Sequence, residues 1–168
     1  MAKQEEKQIQ IQFKMMDLEQ RQFALLTNAD EWPEGELQIQ NSLNFNCDTE
    51  NRVLKVIAHF EFKKNDITQL LLTVQSVFEF SRDSWSAMYN LNEDAWILPA
   101  GLVQHLADIT IGASRGILSV RTQEAGLNRI VLPLIHPANI INSNLRLPRN
   151  PQQQGQGEMP QGPSLGDA

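Results

Sequence analysis

Apolar and polar residues alternate in four stretches of the first half of the chain, which is the pattern of strands with one buried face. The first stretch starts at Gln8, slips at Met15 and Met16, which indicates a bulge, and resumes at residues 21–25. The apolar positions of the other three are Leu37, Ile39, Leu43, Phe45 and Cys47, then Leu54, Val56, Ala58, Phe60 and Phe62, then Leu70, Leu72, Val74, Phe78 and Phe80.

The links between these stretches predict how the strands pair. Residues 48–51 and 63–66 are short turns, so strands two, three and four should form antiparallel hairpins. The first link, residues 27–35, is longer and leaves room for a crossover; it also holds Trp32, a large aromatic among turn residues.

The second face of strand four mixes apolar and polar residues, with Leu71 and Val77 beside Thr73 and Glu79. A sheet face of this kind is either a partner surface or an ordinary surface with scattered apolar residues.

A helical period replaces the alternation from Leu98 to about Glu124, a helix roughly 40 Å long. Such a rod needs cover from a sheet, a second subunit or both. Its main apolar row is Leu98, Leu102, Leu106, Ile109, Ala113, Ile117 and Val120, and its second row is Val103, Ala107, Ile111 and Leu118.

The helix should end at Gly126 and lead into an apolar strip, residues 127–137. Prolines at 133 and 137 are incompatible with a central strand, so the strip either packs along the core edge or lines an apolar groove. The groove is favoured wherever Trp32 faces the strip.

Four strands followed by a helix indicate an α+β fold in one domain. We expect a frayed N-terminus at residues 1–7, a folded domain at 8–145 and a disordered tail rich in Pro, Gln and Gly at 146–168. Residues 81–94 read as a polar link, and residues 138–141 could only start a short helix.

Composition narrows the function classes. The 168 residues carry a net charge of −6, which argues against nucleic-acid binding. Cys47 is the lone cysteine, so an intramolecular disulfide is excluded. No apolar run reaches the roughly 20 residues of a membrane span, and the acidic N-terminus is unlike a signal peptide. We therefore expect a cytoplasmic protein that does not insert into membranes.

Residues 112–116 match the G-x-S-x-G pattern of serine hydrolases, but the helical row runs through Ser114 without a break. His59, His105 and His136 are far apart and form no metal pair. We therefore predict no enzyme, no metal and no cofactor. Gly112 and Gly116 instead allow close packing, so the predicted oligomer interface is Ile109, Gly112, Ala113 and Gly116.

The chain resembles SecB, the bacterial protein-export chaperone family, over about residues 8–141. The clearest part is Ser114-Arg-Gly116, followed by Leu127-Asn128 and by Leu-Pro-Leu-Ile-His-Pro at 132–137. The second part is Asp30-Glu-Trp32, followed by Pro33-Glu34, which is similar to the family's crossover loop.

The resemblance implies a four-stranded antiparallel sheet with a crossover after strand one, and helices packed between sheets in a dimer or tetramer. It implies ATP-independent binding of unfolded, export-bound polypeptides in grooves between the crossover loop, the sheet edge and the segment after the helix. The resemblance assigns peptide binding to Trp32, Leu132 and Leu134. The apolar surplus of the strip adds Leu127, Ile130 and Ile135 to the candidate peptide-binding residues.

The family hands its cargo to the SecA motor through acidic residues on the exposed sheet face. Asp17 retains one, but Arg21 and Thr73 stand where others are expected, which argues against SecA docking by that route. Asp17, Leu71 and Thr73 mark the candidate docking face. The family's second helix is also shortened here, to residues 138–143. A SecB-like module dedicated to one partner, such as a toxin–antitoxin pair, is the alternative function.

Overall fold

The computed structural model describes residues 10–127 and 130–149. Its main feature is a four-stranded antiparallel sheet crossed by one long helix. The sheet strands are β1 (Phe13–Leu25), β2 (Gln38–Asp48), β3 (Val53–Lys64) and β4 (Ile67–Phe80). The later elements are α1 (Arg82–Ala87), β5 (Tyr89–Asn90), β6 (Ala95–Leu98), α2 (Ala100–Glu124) and β7 (Leu145–Pro148), and 3₁₀ turns lie at Ala29–Glu31 and Pro137–Asn139.

The sheet order is β1-β4-β3-β2, so the chain crosses over after β1. β1 pairs with β4 from Phe13 opposite Phe80 to Leu25 opposite Leu70, and its register shifts between Met15 and Asp17. The predicted α+β fold, its crossover and the slip at the two methionines are therefore confirmed. A second shift follows Gln20. The predicted strand start at Gln8 lies outside the described residues, and regular pairing begins at Phe13.

The β3–β4 hairpin closes through Asn65 and Asp66, whose φ angles are 51° and 62°. Two consecutive residues with positive φ form the tight turn that matches the twist of a hairpin, and Asn and Asp tolerate this conformation best after Gly. This turn fixes the register that carries the apolar side chains of both strands to the face under α2.

The core lies between α2 and one face of the sheet. Phe60, Phe78, Ile111 and Leu118 are among its fully buried side chains. Burying apolar area of this kind contributes about 25 cal/mol per Å², so this contact is the main source of stability.

The helix differs from the sequence prediction in its start and in its buried row. Leu98 ends β6, and α2 begins at Ala100 after Pro99. The second apolar row faces the sheet together with Leu106, Thr110 and Ser114. The other residues of the first row that lie in α2 are half-buried or exposed. The hydroxyls of Thr110 and Ser114 donate to the helix carbonyls of Leu106 and Thr110, which satisfies them in the core.

Residues 81–94 are more ordered than the expected polar link. They contain α1 and β5, and β5 pairs with β6, which in turn pairs with β7. Because β7 continues to Pro148, the boundary expected after residue 145 cuts a strand. Residues 1–7 and the part of the expected tail from residue 150 onward lie outside the described residues. No helix in the described part of the chain is both long and apolar enough to cross a membrane.

Candidate functional site: an apolar groove beside the crossover loop

A cavity of about 780 Å³ opens between the crossover loop, the start of β2 and the strip after α2. Trp32 and Pro33 form the loop wall, and Ile130 and Val131 form part of the strip wall. The remaining lining residues are Ala29, Glu34, Gly35, Glu36, Leu37, Ile39, Phe62, Gly126, Leu127 and Pro133. The volume is within the range of ligand pockets, about 300 to 1,000 Å³. Most of the lining side chains are apolar, but Glu34 and Glu36 are among them, and polar atoms make up more of the accessible surface than apolar atoms.

Local hydrogen bonds hold the loop wall. The Trp32 amide donates to the Ala29 carbonyl oxygen at 3.3 Å, which closes a single 3₁₀ turn. Gly35 has a φ of 89°, a conformation that suits glycine. Lys64 Nζ donates to the Glu36 carbonyl oxygen at 3.3 Å, and a Cβ on Gly35 would lie 2.9 Å from that Nζ. The loop is therefore shaped to pass close to the end of β3.

The strip leaves α2 through a Schellman cap. The Leu127 amide donates to the Thr122 carbonyl at 3.0 Å, and the Gly126 amide donates to the Gln123 carbonyl at 3.1 Å. Gly126 has the positive φ, 73°, that this motif needs. The cap turns the chain sharply and places Leu127 in the core at the base of the groove.

The side chain of Arg115 attaches the middle of the strip to α2. Arg115 Nη2 donates to the Pro133 carbonyl oxygen at 3.1 Å. Residues 130–136 have no regular secondary structure, so this bond and the burial of Leu132 hold the strip against the helix.

The structure places the six candidate peptide-binding residues in four different environments. Trp32, Leu127 and Ile130 line the groove. Leu132 is only 2% exposed and belongs to the core, whereas Leu134 is 81% exposed and lies outside the cavity lining. Ile135 is half-buried against the core cluster.

Several groove residues were missed in the sequence. Val131 was in the apolar strip but not among the candidates, and Leu37 and Ile39 were assigned only to the core face of β2. Their position at the end of an edge strand, just after the loop, would have identified them, because strand ends beside a long loop border clefts.

The candidate docking residues share the outer sheet face, away from α2. Thr73 Oγ1 lies 2.7 Å from His59 Nδ1. Asp17 is paired in register with Val77, six residues along β4 from Leu71, a separation of roughly 20 Å. Arg21 Nη1 donates to Gln75 Oε1 at 3.0 Å. The face therefore carries internal hydrogen bonds, and besides Asp17 it also carries Glu19, Glu61 and Glu79.

The candidate oligomer-interface residues lie on the side of α2 away from the sheet. Gly112 and Gly116 are exposed, and a Cβ on either would meet nothing within 4 Å. Ile109 and Ala113 are half-buried, and Val120 on the same side is 53% exposed. The described residues thus leave Gly112, Gly116 and Val120 uncovered on this side, whereas Ile109 packs partly against the core.

Ser114 lies in the middle of α2 and is fully buried, with its Oγ donating to the Thr110 carbonyl at 2.8 Å. A nucleophile elbow requires an exposed serine on a strand-to-helix turn, so the G-x-S-x-G match has no such geometry here. Across residues 10–127 and 130–149, no group of three His, Cys, Asp or Glu side chains is placed to hold a metal ion.

Comparison with known proteins adds similarity at the level of structure only. No family model matches the chain, and no curated protein matches it. Among solved structures, it is similar to a SecB-like chaperone of Mycobacterium tuberculosis in complex with a ChAD peptide from the HigA1 antitoxin. The identity is 11% and the TM-score 0.46, over 73% of this chain and 90% of that one. It is also similar to a Streptococcus agalactiae protein of unknown function, with 10% identity and a TM-score of 0.38, over 74% and 99% of the two chains.

Proposed function

We propose that this protein is an ATP-independent chaperone that binds unfolded segments of other polypeptides in the groove between the crossover loop and the strip. The observation that carries the proposal is the convergence of Trp32, Ile130 and Val131 around one open cavity whose lining side chains are mostly apolar. These residues come from loop and extended chain, where apolar side chains are otherwise unusual.

The neighbouring edge of the sheet supports the same function. β2 is an edge strand. Leu37, which directly precedes it, and Ile39, its first apolar residue, line the groove. An edge strand offers backbone hydrogen-bonding groups to an extended chain, while adjacent pockets receive its side chains. Such a site recognises apolar, extended segments with little dependence on sequence, as a chaperone for export would require.

Trp32→Ala tests the groove. Truncating an aromatic anchor in a binding pocket often costs more than about 1.4 kcal/mol, so affinity for a carboxymethylated, permanently unfolded polypeptide should fall about tenfold or more. Because Trp32 is half-buried in a loop, the free energy of unfolding should fall by less. Fluorescence anisotropy measures the affinity, and urea denaturation measures the stability.

Leu91→Ala is the matched control, since Leu91 is 85% exposed in the turn between β5 and β6 and contributes no atom to the groove. It should leave both quantities unchanged. If Trp32→Ala lowers stability strongly while affinity stays constant, Trp32 is a core residue and the groove is not the binding site.

The polar outer face favours a second candidate function, binding to one dedicated partner without hand-over to SecA. Arg21 and Thr73, which stand where the resemblance implies acids, instead form hydrogen bonds with Gln75 and His59. A pull-down that recovers one stoichiometric partner, from protein that ignores carboxymethylated polypeptides, would favour this function over general export.

We also propose that the protein self-associates through the exposed side of α2. Gly112 and Gly116 have no neighbour within 4 Å at their Cβ positions. Two glycines in a helix interior lower its stability by about 1 kcal/mol each, and close packing against a second helix would compensate for that loss.

A further inference from the structure

The two walls of the groove are held in place by different kinds of contact. The crossover loop contains a 3₁₀ turn at Ala29–Glu31, and Lys64 at the end of β3 donates a hydrogen bond to its Glu36 carbonyl oxygen at 3.3 Å. The strip has no regular secondary structure between residues 130 and 136. Its position therefore depends on individual side chains more than the position of the loop does.

Three buried residues anchor the strip at regular intervals. Leu127, Leu132 and Pro137 follow one another at every fifth position and are buried, whereas Val131 and Leu134 between them are 67% and 81% exposed. An extended chain covers at most about 3.6 Å per residue, so consecutive anchors lie no more than about 18 Å apart. Residues as exposed as Val131 and Leu134 add little packing, so the chain between two anchors needs a further attachment to keep one position.

Arg115 supplies such an attachment directly after the second anchor. Its Nη2 donates to the Pro133 carbonyl oxygen at 3.1 Å, and Pro133 is itself one of the residues that line the groove. Because proline has no backbone N–H, this oxygen is the only backbone hydrogen-bonding group at position 133. Within the described parts of the chain, no other side chain of α2 donates a hydrogen bond to residues 130–136.

The chemistry of arginine suits this attachment. The guanidinium is a charged group that carries its N–H donors in a rigid, planar fork, so it fixes the direction as well as the length of a hydrogen bond. Arg115 also belongs to a continuous helix of 25 residues that packs on β3 and β4. The hydrogen bond therefore links an irregular wall of the groove to the main body of the fold.

We propose that Arg115 is a positioning residue of the groove: by holding the Pro133 carbonyl, it keeps the strip at the distance from the crossover loop at which one bound polypeptide contacts both walls. This inference rests on the proposed function, because it assigns a role in the same binding site. Arg115 is not among the residues that line the cavity, so it acts through the strip rather than by touching the polypeptide. A wall that is already in position before binding loses less conformational entropy when the complex forms.

The first test follows the strip in the free protein. Arg115→Met removes the donors but keeps a long, unbranched side chain of similar helix propensity. In ¹H–¹³C spectra of protein labelled at the isoleucine δ1 methyl groups, the order parameters of Ile130 and Ile135, on either side of Pro133, should fall. The signal of Ile111, buried under α2, should stay unchanged.

The second test measures binding of the carboxymethylated polypeptide by fluorescence anisotropy. The affinity of Arg115→Met should be about fivefold lower than that of the wild type, which corresponds to about 1 kcal/mol, the usual contribution of one hydrogen bond. The loss should lie mainly in a faster dissociation rate, as for most changes within one interface. Arg115→Lys, which keeps a charged donor on a shorter side chain, should restore part of the affinity and part of the order at Ile130 and Ile135.

Arg121→Met is the matched control. Arg121 is an exposed arginine of the same helix, but its Nε donates to Gln20 Oε1 on β1 at 2.7 Å and not to the strip. Its substitution should leave the affinity and the signals of Ile130 and Ile135 at their wild-type values, while urea denaturation shows similar stabilities for the two methionine variants.

Two results would overturn the role of Arg115 while leaving the proposed function intact. The first is an Arg115→Met protein whose Ile130 and Ile135 signals match those of the wild type. The second is an affinity equal to that of Arg121→Met. A wild-type protein that binds no unfolded polypeptide would instead overturn the proposed function, and with it the assigned role, even if the isoleucine signals respond to the substitution.

Discussion

Burial between the helix and the sheet determines the hydrogen bonding and the acidity of several individual side chains. Thr110 and Ser114 are polar yet buried. Burial is tolerated because carbonyl groups of the helix backbone accept hydrogen bonds from their hydroxyl groups. Cys47 lies on the core side of β2, half-buried against the apolar cluster. Burial, and secondarily the charge of Asp48, raises the pKa of its thiol from 9.0 to about 12.

Cys47 should therefore react slowly with iodoacetamide in the native protein, since the thiolate is the attacking species. At pH 8 we expect alkylation at least about tenfold slower than in the urea-unfolded chain, given a tenfold change in thiolate per pKa unit. Mass spectrometry of quenched samples measures the rate.

The same shift sets the sign of a pH effect on stability. The raised pKa contributes no pH dependence below about 9, and stability falls as pH rises toward 12, because the unfolded chain ionises first. A Cys47→Ala protein should lack this loss, and identical alkaline profiles for both proteins would contradict it.

α2 and the sheet, which pack mainly through apolar side chains, also share a buried hydrogen bond. Thr110 Oγ1 on α2 lies 3.0 Å from Ser76 Oγ on β4, and both residues are fully buried. Since the surrounding contacts are apolar, this pair fixes which part of α2 lies over which part of β4.

Ser76→Ala and Thr110→Val should each lower the free energy of unfolding by about 1 kcal/mol, the usual contribution of a buried hydrogen bond. The double variant should lose less than the sum, with a coupling of at least about 0.5 kcal/mol. Urea denaturation measures all three. Ser42→Ala, on the exposed outer face of β2, is the control, and strictly additive losses would mean that the two hydroxyls do not interact.

The elements also show how far the sequence predicts the fold. The four long strands could be predicted from the alternation of apolar and polar residues, which is a clear signal over about ten residues. The crossover could be predicted from the length of the link after the first strand. The buried side of α2 could not be predicted, since apolar counting misses hydroxyls that bond to their own helix. β5, β6 and β7 are two to four residues long, too short for any period. In the groove, the strip was visible as apolar surplus, but burial of Leu132 and exposure of Leu134 depend on tertiary packing.

At the scale of the whole molecule, one side of α2 is left without cover in the described chain. Its exposed positions include Gly112, Gly116 and Val120, with the half-buried Ala113 beside them. A second copy meeting this side would bring two helices close together.

The double variant Gly112→Ala/Gly116→Ala distinguishes the effect of the glycines on helix stability from their effect on self-association. Alanine stabilises a helix interior by about 1 kcal/mol over glycine, and each Cβ has open space within one chain. The monomer should therefore become more stable while self-association weakens, as measured by sedimentation equilibrium. Gly101→Ala, also in α2 with open space around it, should leave the assembly unchanged. If the double variant changes stability but not self-association, the two glycines do not belong to the interface.

The pairing of β1 with β4 has a consequence for biosynthesis. The ribosome completes β1 first, yet its only pairing partner in the described sheet ends at Phe80. At about 5–20 residues per second, some 55 further residues take roughly 3 to 11 seconds to make. Throughout that interval the backbone hydrogen-bonding groups of β1 have no strand to pair with, because β4 has not yet been synthesised. Met15, Met16 and Leu18 are among the side chains of β1.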